Sequence, residues 1–440
     1  MSKFVNISTL FDDSNRTIEY LSSIYSNKEV LAESIRSVLR EQLKPEMVKS
    51  KRIFLKPNWV NHPRRDTDEI CLRSHDNFVL TFVEIICELG PGLILIGDAP
   101  IQGCKWNLMI SPEFIDRIKS ISKQAQIPIE VKDLRREVFD AKENRSDKNQ
   151  RSLDEFIIFD LGKNSYLEPI TKPGRSKFRV THYNPDRFTL SHKPGMHKYC
   201  ITRELFDADL VISIPKVKTH EKSGITAALK NIVGLNGDKD FLPHHRIGGT
   251  GQGGDSYPER NFVRYLSELC YDQANRKKGK QSYFFWVRLA AFLWRMTFPN
   301  AMTRFGAGWH GNDTTWRMVM DLNLIAVYGK ADGSLSNIPV REVFSLCDGI
   351  VGGQGDGPLR PDPLNLGVVA FTNDSGYCDA SLALLMGINI SRLPLLNTVR
   401  SLAPESDTRI MLNGQKTSLQ EVTKYSCNAR MPSGWVTYNK

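Results

Sequence analysis

Lys216-Val-Lys218-Thr-His220-Glu-Lys222 sets a basic or imidazole side chain at every second position. That is the period of an extended strand, so Lys216, Lys218 and His220 share a face if the strand continues through them. The run follows Asp209-Leu-Val-Ile-Ser-Ile214, apolar and β-branched as an inner strand is. It leads into a segment rich in Gly, Ala and Thr that carries Lys230 and Asn231. Cations at the carboxyl end of a buried strand stand where open α/β sheets bind ligands. Like charges beside His220 push its pKa down and favour a neutral imidazole, usable as general base or metal ligand. A lysine among cations is depressed in the same way and can serve as acid, base or Schiff-base amine. The competing reading is an anion cradle with no chemistry of its own. Lys230 and Asn231 serve either.

Other strand ends offer partners. Lys56 and Asn58, in Lys-Pro-Asn, can hold a phosphate or carboxylate. Asp98 closes the strand Leu93-Ile-Leu-Ile-Gly-Asp98, where it suits a base, a metal ligand, a sugar hydroxyl contact or a helix N-cap. The long glycine-dense stretch 236–258 contains Gly253, Gly254 and Asp255, whose backbone amides could approach an anion. It reads equally as a lid and matches neither a Walker loop nor a dinucleotide fingerprint. His220, His244 and His245 are candidate ligands for a divalent metal. Adjacent histidines on a strand point apart, so both binding one ion needs a turn. Arg317 and Asp321 are further candidates to line a site, with Asp313 a candidate helix cap.

The elements that must position these groups alternate. Strands are expected at Phe4–Ser8, Arg52–Val60, Leu93–Asp98, Pro128–Lys132, Phe156–Asp160 and Leu366–Phe371. Helices are expected at Asn27–Leu43, Asn77–Leu89, Thr315–Val327 and Gly376–Met386. Strand, helix and strand in succession are βαβ units. The fold class is therefore α/β, with mostly parallel sheets flanked by helices, in two lobes with a cleft between them. Residues 1–270 form the main α/β region, 271–310 a basic aromatic insertion, and 311–440 a C-terminal α/β portion completing the fold. The charge-rich stretch from Arg136 to Arg151 reads as a surface loop.

The chain has 440 residues and a formal net charge of +10. The excess favours acidic partners: an anionic small molecule, an anionic membrane face or nucleic acid. Nucleic acid ranks last, because no helix-turn-helix, RNA-recognition or zinc-finger pattern is present. The eight cysteines form no C-x-x-C pair, so no iron–sulfur cluster is expected and the thiols suit a reducing compartment. The N-terminus lacks a secretory pattern, so a cytoplasmic location is expected. Residues 276–298 join a basic run to an aromatic helical segment and read as an in-plane interfacial helix on anionic lipid. The same face would also suit packing on the body or an oligomer.

The motifs Lys56-Pro-Asn58, Gly97-Asp98, Pro215-Lys-x-Lys-Thr-His220, Gly224, Leu229-Lys-Asn231, Gly234, Lys239, His244, Gly253-Gly-Asp255, Asp348-Gly349, Gly355-x-Gly-Pro358 and Asp379 together resemble domain-of-unknown-function family 362. That resemblance implies an α/β fold. Some members carry an iron–sulfur module, whose cysteine cassettes this chain lacks. A fainter resemblance is to nickel-pincer lactate racemases, in which a buried strand is followed by His, then Gly four and Lys ten positions on. His220, Gly224 and Lys230 keep that spacing, but Glu204 stands where the cofactor-bearing lysine would fall.

The expected function is an enzyme acting on a phosphorylated or carboxylated small molecule. Lys56, Lys216 and Lys230 would clamp the anion, while His220 with Lys218 and Lys230 would move protons, as in epimerisation or racemisation. The alternative is a membrane-surface protein of envelope polysaccharide or lipid-linked precursor assembly.

Overall fold

The computed structural model describes residues 2–12, 14–140, 145–148, 151–174, 176–181, 183–297, 306–436 and 438. Parts of three sequence expectations lie outside them: 141–144 and 149–150 of the charge-rich stretch, 298–305 of the insertion, and residue 298 of the interfacial segment.

A central sheet of twelve strands organises the chain. In chain order they are β1 (Lys3–Thr9), β2 (Arg52–Pro57), β3 (Leu93–Asp98), β4 (Ile129–Asp133), β5 (Leu210–Ile214) and β6 (Lys216–His220). Then follow β7 (Gly224–Thr226), β8 (Val343–Gln354), β9 (Asp362–Leu364), β10 (Val368–Thr372), β11 (Thr408–Leu412) and β12 (Gln415–Lys416). The spatial order is β12-β11-β1-β10-β8-β5-β2-β3-β4, with β6, β7 and β9 attached along the β8 side. The run β8-β5-β2-β3-β4 is parallel, while β10 enters antiparallel between β1 and β8. One sheet carries these strands, and a division into two lobes is not seen.

Side chains alternate between two apolar layers, as the pleat requires. Ile53, Leu55, Ile94, Ile96, Ile212 and Ile214 face the layer of helices Ile18–Ser26, Lys28–Leu39, Asp76–Glu88 and Pro112–Ala125. Phe54, Leu95 and Val211 face the layer built on Thr315–Tyr328, Ser375–Leu385 and Pro394–Leu402. Burial on both faces is why these strands read as unbroken apolar runs.

Two differences from the sequence reading have local causes. Phe156–Asp160 is a strand, but it pairs with Met196–Thr202 in a separate small antiparallel sheet. Two stretches of the supposed surface loop, Glu137–Asp140 and Arg145–Lys148, pair with each other as antiparallel strands. The glycine-rich segment after Asp348 forms the second half of β8 as far as Gln354, and the chain turns at Gly355-Asp-Gly-Pro358. Glycine is needed in β8 because β6 lies so close: a Cβ on Gly353 would stand 2.6 Å from that of Lys218.

The basic aromatic region is an antiparallel pair of helices, Phe262–Arg276 and Ser282–Arg295. No helix among the described residues is long and apolar enough to cross a membrane.

Candidate functional site

The parallel strands deliver Lys56, Asp98 and Lys216 to one edge, the carboxyl ends of β2, β3 and β5. The sharpest knot there is Lys56 with Asp98, whose buried charges stand 2.8 Å apart. Asp98 also accepts from the backbone N–H groups of Trp59 at 2.7 Å and Ala99 at 2.8 Å. Asn231 stitches the knot to its neighbours. Its Nδ2 donates to the Lys56 carbonyl at 3.0 Å and Ser213 Oγ at 2.8 Å. Its Oδ1 accepts from Lys56 Nζ at 3.2 Å and Asn58 Nδ2 at 3.0 Å. Asn231 has its amide satisfied and acts as a brace. Asn58 Oδ1 is buried without a partner among the described residues, so one acceptor of this knot is unspent.

Lys216, expected to clamp an anion, has its charge neutralised inside the fold. Its ammonium stands 3.0 Å from Asp348 Oδ2 and donates to the Tyr25 hydroxyl at 2.8 Å. Lys218 is equally buried but has no carboxylate. It donates to the carbonyls of Leu72 and Pro358. Burial first, then the charges of Lys216 and Lys230, pushes it down to about 7.

Beyond Asn231 lies a group with less internal compensation. Lys222 and Lys230 make no hydrogen bond or ion pair through their ammonium groups among the described residues. Lys230 keeps partial exposure and is pushed down to about 7 by burial, then by Lys239, Lys222 and Lys56. Lys239 donates to the carbonyls of Ala99 and Asn236 at 3.0 and 2.8 Å and is pushed down to about 8, mainly by burial. Asp98, already tied to Lys56, is the carboxylate that acts on Lys230 and Lys239, while Glu221 and Asp255 act on Lys222 without bonding its ammonium. Around Lys230 the ammonium groups of Lys239, Lys222 and Lys56 outnumber the carboxylate of Asp98, which makes this a region of positive potential.

Two histidines complete it. His220 Nδ1 accepts from the backbone N–H groups of Lys222 at 3.0 Å and Ser223 at 3.2 Å. An atom that accepts carries no proton, so the proton of the neutral ring is on Nε2. His244 is the reverse: its Nδ1 lies 2.8 Å from the Leu242 carbonyl, which can only accept. That ring is protonated on Nδ1 and keeps its lone pair on Nε2. Both pKa values are driven well below the usual 6.5, by burial first and then by Lys222 and Lys230. The site thus holds one neutral imidazole that donates and one that accepts.

Other expected site residues serve the fold. The amides around Gly253 and Gly254 bond within the loop: Gly253 N to Thr250 O at 3.1 Å, Gly254 N to Gly249 O at 3.0 Å. They are not presented to an anion. Asp255 latches that loop to the helix at Thr315. It accepts from Arg246 N at 2.5 Å, Thr314 Oγ at 2.5 Å and Asp313 N at 3.1 Å. Replacing Asp255 by Ala is therefore expected to cost about 1–3 kcal/mol for each donor left unpaired. Thermal melts of the variant check this. Arg317 pairs with Asp313 at 3.0 Å, donates to the Tyr166 carbonyl and covers Trp316. His245 sits on a short strand paired with Phe178–Arg179, its Nδ1 unpartnered. Among the described residues no group of three or more His, Cys, Asp or Glu stands together to hold a metal ion, so His220, His244 and His245 do not converge on one. Lys222 and Lys239 are the site members the sequence reading left out of its site. Lys222 carried a legible signal, since it continues the alternation of 216, 218 and 220.

A family model described as a domain of unknown function, DUF362, matches residues 163–383. The chain belongs to the DUF362 family. The DUF362 region contains Lys216 to Asp379, so both histidines and all the lysines from 216 to 239 lie inside it. Lys56, Asn58 and Asp98 come from before it, and the central sheet joins the two. No curated protein sequence matches this DUF362 chain. A crystal structure of a Thermotoga maritima protein from a structural-genomics programme aligns at 10% identity and a TM-score of 0.35. That alignment covers 87% of this chain and 59% of the other, so the chain spans about three fifths of that protein's length.

Proposed function

We propose that the chain is an enzyme that holds an anionic small molecule, phosphorylated or carboxylated, between Lys222 and Lys230 and moves a proton on it. One observation carries this reading: two neutral histidines of opposite protonation stand beside lysines with no ion pair of their own. Buried cations that no carboxylate bonds directly are costly, and a bound anion relieves that cost.

The chemistry follows from which atom bears each proton. His244 Nε2 has the lone pair and takes the proton from a carbon next to a carboxylate, or next to the carbonyl of a phosphorylated substrate. The C–H electron pair stays on the substrate as an enolate. Its oxygen is held by the N–H of His220 Nε2 and the ammonium of Lys230. A neutral imidazole is the better donor to such an oxyanion, because it stabilises charge without surrendering its proton. This shifts the base role expected of His220 to His244 and leaves His220 as the electrophile. A proton given to the opposite face by the Lys222 ammonium, while His244 passes the proton it took to solvent, would complete an epimerisation or racemisation.

The His220, Gly224 and Lys230 spacing supports the racemase-like form of this proposal. A covalently held nickel cofactor does not fit. Glu204 occupies the corresponding position, at the start of the short helix Glu204–Asp207 that precedes β5, and is tied to Arg151 at 2.7 Å. It lines a groove of about 250 Å³ with Arg52, Leu93 and Arg203, at the amino ends of the strands and away from Lys230.

The test is isotope exchange. The protein is incubated in deuterium oxide with 2-hydroxy acids and sugar phosphates, and loss of the C–H signal is followed by NMR. His244→Gln is expected to lower exchange by about 100-fold or more while anion binding persists. Exchange at the wild-type rate in His244→Gln, or none with any compound, would remove the proton-transfer assignment.

A further inference from the structure

We propose that the helix pair Phe262–Arg276 and Ser282–Arg295 docks this protein on an anionic lipid surface, lying in the plane of the bilayer. The pair is held rigidly. Ser267 Oγ donates to the Ala290 carbonyl at 2.7 Å, and the Arg264 guanidinium stacks on Trp294 at 5.3 Å. Its inner side is fixed to the body by Arg179 and Asp272, buried and 2.9 Å apart. The outer side is what needs explaining.

On the second helix Phe284, Phe285, Arg288, Ala291, Phe292, Arg295 and Met296 are exposed. Their spacing of three, four and seven makes one continuous stripe. Phe285, Phe292 and Met296 are 60–61% exposed, and Phe262 on the partner helix is 75% exposed. Phe262 stands one turn before Leu266, which is exposed too, and the antiparallel pairing sets both beside the Phe292–Met296 end. Scattered apolar residues on a surface need no account, whereas a contiguous aromatic stripe marks a contact face.

Charge decides what covers it. From 273 to 297 the sequence contains Arg276, Lys277, Lys278, Lys280, Arg288 and Arg295, and no Asp or Glu. Arg288 and Arg295 lie within the apolar stripe itself and have no ion-pair partner among the described residues. A second copy docked on this face would set these cations against one another. An anionic headgroup layer accepts them, while the phenylalanines enter the acyl boundary between them. The helix has 14 residues, too short to span and long enough to lie flat. The proposal is independent of the chemistry assigned to His220 and His244.

The full-length protein is floated with vesicles of phosphatidylcholine and with vesicles in which about a quarter of the lipid is phosphatidylglycerol. Binding to the anionic vesicles alone is expected, weakening with salt. Arg288→Glu/Arg295→Glu and Phe285→Ser/Phe292→Ser are each expected to lower it by about tenfold or more. Both pairs are exposed, and unchanged melting temperatures verify that the variants fold. Equal binding to both vesicle types, no binding to either, or wild-type binding by the charge-reversed protein overturns the proposal. So does a concentration-dependent dimer that Phe285→Ser/Phe292→Ser dissolves, since the face then belongs to a second copy.

Discussion

Asp348→Ala is expected to lower the unfolding free energy by about 3–5 kcal/mol, among the largest effects of any single substitution in this chain. Lys216 and Asp348 are both fully buried and 3.0 Å apart. Asp348 is also the acceptor for the Tyr25 hydroxyl at 2.6 Å and for the backbone N–H of His75 at 3.0 Å. Removing the carboxylate leaves the Lys216 ammonium without a counter-ion, where water cannot replace it. It also strands two donors. Lys216→Met/Asp348→Leu removes both charges together and is expected to recover most of the loss, because the cost lies in the unpaired charge. The check is the shift of the denaturant midpoint for each variant. A loss below about 1 kcal/mol for Asp348→Ala would show that the pair is not what holds β6 against β8.

Lys230→Met is expected to weaken anion binding by about tenfold to a hundredfold, the worth of a hydrogen bond to a charged group. Its pH dependence has a definite sign. An unfolded lysine titrates near about 10.4. In the folded protein Lys218 and Lys230 are pushed down to about 7. Below about pH 7 both are charged in either state, and the cost of burying that charge is fully present. Between about pH 7 and 10 the unfolded chain binds more protons, so the ligand-free protein gains stability as pH rises. Anion binding runs the other way. A bound anion raises the lysine pKa values, so binding takes up protons and weakens as pH rises through about 7. Calorimetry with inorganic phosphate and with lactate, in buffers of different ionisation enthalpy, measures the uptake. An affinity that is the same at about pH 6 and about pH 9, and the same in Lys230→Met, would move the anion site elsewhere.

Some of this could be read from residue order alone. The apolar runs before Lys56, Asp98 and Lys216 are buried on both faces, so each announces an inner strand without its partners being known. The alternation from Lys216 to His220 survives because Pro215 interrupts the strand without ending it, and β6 continues along β8. Helices at Lys28–Leu39, Asp76–Glu88 and Thr315–Tyr328 follow apolar periodicity, with Asn27 and His75 capping the first two. The glycine loop misled for a physical reason. Glycines that free backbone amides for a ligand and glycines that let a loop bond to itself look alike in sequence. A Cβ on Gly254 would fall 2.0 Å from the Gly248 carbonyl oxygen, so close self-packing is what demands glycine there.

The sequence by itself determined that cations would gather at the carboxyl edge of an α/β sheet, because strand burial and side-chain alternation are local properties. Only the tertiary structure decided which of those cations are neutralised. Lys56 meets Asp98 and Lys216 meets Asp348 across 42 and 132 positions of chain, while the Lys222 and Lys230 ammonium groups form no ion pair within 4.0 Å among the described residues. It also decided the protonation of His220 and His244, since that rests on whether Nδ1 faces an amide or a carbonyl. Pairing and protonation depend on distances between segments far apart in the chain, and residue order does not carry those distances.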